Sequence, residues 1–133
     1  MFKTNNILIS LNIIFLLYYS INLLIFTDEF TRSNLGSFNH AIAGLSEIIG
    51  IIFLSLALSL IIIRNKIRGQ FPIFFTLFLI QLLIFINFLR YIFTNSPGET
   101  SIETITFNVL IFFIGLNVST IFIIKNYSNL KQF

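Results

Sequence analysis

The chain has 133 residues, 56% hydrophobic and 10% charged, with a formal net charge of +3, no cysteine and a single histidine. Its mean hydropathy of +0.96 puts it outside the soluble globular range and among polytopic membrane proteins. Without cysteine there can be no disulfide, thiolate metal site or iron–sulfur cluster, and His40 alone cannot supply two imidazoles to a haem.

The first apolar run covers roughly residues 7–26, about the length needed to cross a hydrocarbon core as a helix. Lys3 precedes it, as in a signal peptide. The run is longer than a signal core, however, and ends at Phe26-Thr27-Asp28-Glu29 with no small-x-small cleavage site, so a retained helix is expected. Asn12, Tyr19 and Asn22 fall within about 80° of one another and mark an inward face.

The second run, roughly 41–63, carries Ala43, Ser46, Gly50 and Ala57 at steps of three, four and seven. In lipid such a small-residue stripe permits close backbone approach and marks a packing face. Glu47 stands beside the stripe, with His40 seven residues earlier on the same face. A basic connection follows, with Arg64, Lys66 and Arg68, and Gly69 and Pro72 punctuate the start of the next helix.

The third run, roughly 72–93, ends near Asn87 and Arg90; Gln81 lies about 180° around that helix from Arg90 and is expected to bond to another helix. Asn95-Ser96-Pro97-Gly98 reads as a turn, and Thr100-Ser101-Ile102-Glu103 as a capping box with Thr100 at the cap. The fourth run, roughly 105–124, aligns Asn108, Gly115 and Ser119 within about 20°, a second packing face.

The fold expected is therefore all-α: one transmembrane domain over 1–133, an antiparallel four-helix bundle. Lys3, Arg64, Lys66, Arg68, Lys125 and Lys131 fall on one side, whereas Asp28, Glu29, Arg32, Arg90, Glu99 and Glu103 fall on the other. By the positive-inside rule both termini face the cytoplasm, and a bacterial inner membrane is the expected location. Basic residues placed at helix ends orient the chain and touch anionic lipid; they do not indicate nucleic-acid binding. The connections, about 14, 8 and 11 residues long, leave no room for a nucleotide-binding domain, and no Gly-rich phosphate loop occurs.

Only Glu47 and Arg90 are charged within the four runs. An unpaired charge in hydrocarbon is costly, so the two are expected either to pair and set helix register or, with His40 and Asn87, to line a ligand-binding polar site in the outer leaflet. No catalytic or metal-ligating set is recognisable.

The stretch Ala43-Gly44-Leu45-Ser46-Glu47-Ile48-Ile49-Gly50, followed by an apolar run to Arg64, resembles the Gly-x-x-Glu-x-x-Gly helix of the DoxX-like superfamily of small four-helix membrane proteins. That resemblance implies a quinone-adjacent or accessory membrane role, with Glu47 and Arg90 as the positions carried over. The functional expectation is an accessory subunit or binder of a quinone or lipid-like ligand, without catalysis of its own. The alternatives are a proton- or solute-coupled transporter working as an oligomer and a structural subunit of a membrane complex. Expected partners are the bilayer and either other membrane subunits or further copies of the chain.

Overall fold

A computed structural model describes residues 2–36, 39–94 and 100–132. It is all-helical: α1 is Phe2–Leu24, α2 Thr27–Leu35, α3 His40–Ile63, α4 Phe71–Phe93 and α5 Ile102–Lys131. Four of these, α1, α3, α4 and α5, are long and apolar enough to cross a membrane, and they mark the chain as an integral membrane protein. The turn expected at Asn95-Ser96-Pro97-Gly98, and Glu99, lie outside the described residues.

The fifth helix corrects the sequence reading. The segment expected only to connect the first two spans contains α2, whose uncharged threonines and charged residues divide between two sides: Thr27 and Thr31 are buried, while Asp28, Glu29 and Arg32 are exposed. Asp28 and Glu29 occupy its first turn, where the helix dipole favours anions. Gly36, at φ 71°, ends it with an N–H that donates to the Arg32 carbonyl at 3.1 Å, a left-handed cap that suits glycine. Thr27 Oγ1 donates to the Leu23 carbonyl at 2.6 Å, tying α2 to the end of α1.

Other boundaries follow local chemistry. Asn39 caps α3 by accepting from the Ile42 N–H at 2.8 Å. Pro72 sits in the first turn of α4. The cap of α5 is Ser101, one residue later than the sequence reading placed it, accepting from the Thr104 N–H at 3.3 Å. Thr100 is drawn away because its hydroxyl donates to the Asn34 carbonyl near the end of α2. At its far end α5 continues to Lys131, past the expected limit at 124, because Phe122, Asn126 and Leu130 extend the buried stripe at four-residue steps.

The helices pack as α1 against α3, α4 against α5, and α1 against α5, with α2 resting on α1, α3 and α5. Three buried polar layers cross the interior. At one end Asn5 Nδ2 donates to Asn126 Oδ1 at 2.7 Å and Asn126 Nδ2 returns a bond at 3.2 Å. In the middle, Gln81 Nε2 donates to Asn12 Oδ1 at 3.2 Å, and Ser119 Oγ lies 2.6 Å from Gln81 Oε1 and 2.9 Å from Asn12 Oδ1. Gln81 thus bonds to other helices, as the sequence reading expected. At the other end the Tyr19 hydroxyl donates to Asn108 Oδ1 at 2.8 Å. As the α1 position rises from 5 to 12 to 19, its α5 partner falls from 126 to 119 to 108.

Aromatic side chains fill the space between layers: Phe74 and Phe122 meet at 4.4 Å between ring centroids, and Phe15 meets Phe112 edge-on at 5.1 Å. Such packing and interhelical hydrogen bonds hold helices together in lipid, where the hydrophobic effect does little between them.

Candidate functional site

The interior beneath α2 contains an apolar cavity of about 270 Å³, bordered by all five helices. Phe53, Ile84, Phe88 and Phe112 form most of its wall; Tyr19, Thr31, Asn34, Thr100 and Asn108 bring polar atoms to one end, and Ser46 and Ile49 border it from α3. α3 and α4 have at most sparse backbone contact, and the cavity lies between them.

Almost every polar group on this wall is already committed. Asn108 accepts from Tyr19 and uses its Nδ2 protons on Asn34 Oδ1 at 2.8 Å and the Thr104 carbonyl at 2.9 Å. Asn34 Nδ2 donates to the Phe30 carbonyl at 2.9 Å, Thr31 Oγ1 to the Thr27 carbonyl at 2.7 Å, and Thr100 to Asn34. Ser46 differs. It is 6% exposed, and among the described residues its hydroxyl has no hydrogen-bond partner. Helical serines at 20, 55 and 59 instead donate back to their own helix, as is usual. No fully enclosed side-chain nitrogen or oxygen among the described residues lacks a partner, so the Ser46 oxygen is not sealed in protein, and Ser46 borders the cavity. The cavity therefore offers one free hydroxyl proton on an otherwise apolar wall.

The four residues singled out from the sequence stand elsewhere. His40, Glu47, Asn87 and Arg90 are all exposed, and no ion pair joins Glu47 to Arg90. Glu47 is one residue past Ser46, hence about 100° around α3. Arg90 lies on the side of α4 opposite buried Gln81, with its guanidinium 5.0 Å from the Tyr91 ring centroid. Of the predicted packing residues, Ser46, Gly50, Ala57, Asn108, Gly115 and Ser119 are buried and Ala43 is half-buried. At Gly50 an added Cβ would come within 2.8 Å of Leu24 Cγ; Gly44, the other glycine of the resemblance motif, has nothing within 4 Å. Asn22, counted on the inward face of the first run, is half-buried and donates to the Tyr18 carbonyl at 2.8 Å.

Tyr19, Asn34, Thr31 and Thr100 were not singled out from the sequence as residues of a site. A signal existed for Tyr19, because Asn5, Asn12 and Tyr19 recur every seven residues on α1. Nothing local marks Asn34 or Thr100, which join the site only because α2 folds over the bundle.

No family model, curated protein or solved structure matches this chain.

Proposed function

We propose that this chain is an antiparallel four-helix transmembrane bundle, with both termini cytoplasmic, that binds a lipophilic ligand in the cavity beneath α2 as an accessory membrane protein without catalysis of its own. The observation that carries this reading is the unpartnered Ser46 hydroxyl in an apolar cavity of about 270 Å³. A dry apolar cavity of about 150 Å³ holds benzene, so this one has room for a substituted ring. A hydroxyl that needs an acceptor selects a ligand with a carbonyl or ester oxygen, which a quinone ring or a lipid ester supplies. The sparse contact between α3 and α4 supports entry from the bilayer at that side. The resemblance of residues 43–50 to the DoxX-like superfamily points to the same class of ligand.

The test uses a decyl-substituted benzoquinone titrated into the full chain in mild detergent. Tyr19 lines the cavity and the chain has no tryptophan, so tyrosine emission reports occupancy by quenching. Saturable quenching is expected. Ser46→Ala should weaken binding by about three- to tenfold, the worth of one hydrogen bond, and Ser46→Leu, which fills the space, should abolish it while the helical circular dichroism stays unchanged. Binding that survives Ser46→Leu but is lost in Glu47→Gln or Arg90→Ala would move the site to the exposed pair and overturn the cavity assignment.

A further inference from the structure

A second groove, of about 550 Å³, lies at the basic end of the bundle and is lined by Asn6, Ile7, Ser10 and Leu11 of α1 with Arg64 at the end of α3. Asn6 and Ser10 are four residues apart, so they stand one above the other on the helix. Both are half-buried, and among the described residues neither makes a side-chain hydrogen bond. Arg64 is exposed and joins no ion pair among the described residues. Three residues carrying donors, a guanidinium, an amide and a hydroxyl, thus border one groove without a side-chain partner among the described residues.

Apolar surface continues from it. Leu11 also borders a separate groove of about 290 Å³ between α1 and α5, where Ile14, Phe15, Ile111 and Val118 form the walls and Gly115 also lines it. The two grooves share Leu11 and run from the basic end of the bundle along the outside of α1. An acceptor-rich anion at the end of an apolar tail fits this sequence of surfaces. Arg64 has Lys66 and Arg68 as neighbours, which sets the charge the groove favours.

We propose that Arg64, Asn6 and Ser10 bind the phosphate of an anionic phospholipid of the cytoplasmic leaflet, with one acyl chain laid over Leu11 into the groove between α1 and α5. The groups meet at the right depth because Arg64 directly follows the last residue of α3. This site is independent of the cavity beneath α2, since the two share no lining residue.

Native mass spectrometry of the full chain, titrated with phosphatidylglycerol and phosphatidylcholine of identical acyl chains, tests it. Phosphatidylglycerol should be retained about tenfold more tightly, and Arg64→Gln should remove that preference. Lys66→Gln deletes the same charge outside the groove and should change it less than threefold; Ser10→Ala should weaken it about threefold. Equal losses in Arg64→Gln and Lys66→Gln would reduce the effect to diffuse surface attraction and overturn the proposal. So would equal retention of the two lipids, or full displacement of phosphatidylglycerol by millimolar inorganic phosphate, which would make the groove a phosphate-ion site. Arg64 is exposed, so its variant should keep the wild-type melting curve.

Discussion

Gly115 shows how closely single positions are set in this interior. A Cβ placed there would lie 2.9 Å from Gln81 Nε2 and 3.2 Å from the Phe15 ring, so one methyl group pushes on the central polar layer and on an aromatic wall together. Gly115→Ala should destabilise the bundle by about 1 to 3 kcal/mol, as overpacking does. Gly44→Ala meets nothing within 4 Å and should be neutral or stabilising by up to about 1 kcal/mol, from the better helix propensity of alanine. Unfolding followed by circular dichroism in mixed micelles compares the two; equal effects would contradict the packing assigned to Gly115. The sequence places Gly115 on a packing face with Asn108 and Ser119 and leaves Gly44 off the small-residue stripe of its run. How tightly each is packed is set by the neighbouring helix, because propensity is local whereas the space around a Cβ is not.

At the scale of elements, α2 is the part least visible beforehand and the part that closes the site. Nine residues with four charged or strongly polar side chains make a weak helix in isolation, and its stability comes from seating Thr27 and Thr31 on the bundle. The Thr100 hydroxyl, on the Asn34 carbonyl, fastens it from across the chain. Thr100→Val keeps the shape and removes that bond, so amide exchange over 27–35 should quicken about fivefold, with the middle of α1 and α5 unchanged. Uniform acceleration along the chain would show instead that Thr100 supports the whole bundle. The long spans were legible to within a few residues at most ends because apolar length alone dictates a helix in lipid. The end of α5 was not, since residues 125–131 carry polar groups on one side and hold the inner stripe only through Asn126 and Leu130.

For the whole molecule, charge and polar layering agree. The basic residues at 64, 66, 68, 125 and 131 lie near the end of the bundle marked by the Asn5 and Asn126 pair, where the Gly69 N–H also donates to the Asn129 carbonyl at 3.2 Å. Asp28, Glu29 and Glu103 lie at the end marked by Tyr19 and Asn108, where Glu29 and Glu103 border an open groove of about 790 Å³. The cytoplasmic assignment of the basic end can be checked directly, because the chain has no native cysteine. In intact cells a membrane-impermeant maleimide should label Ser33→Cys and spare Lys66→Cys until the membrane is opened; both positions are exposed. The reverse pattern would invert the topology.

The sequence by itself determined that four segments are long and apolar enough to span a membrane and that Asn108, Gly115, Ser119, Ser46, Gly50 and Ala57 turn inward, because helical periodicity and the absence of water act within one segment at a time. It also drew attention to Glu47 and Arg90, since charge in an apolar run is conspicuous wherever it points. Where those two charges point was decided only by tertiary structure. Packing α3 on α1 and α4 on α5 turned those two charges outward, left the small Ser46 hydroxyl facing the cavity, and brought Asn34 and Thr100 from the connections to its edge. Which polar group stays unpaired depends on every helix that could have partnered it, and that is a property of the assembled bundle.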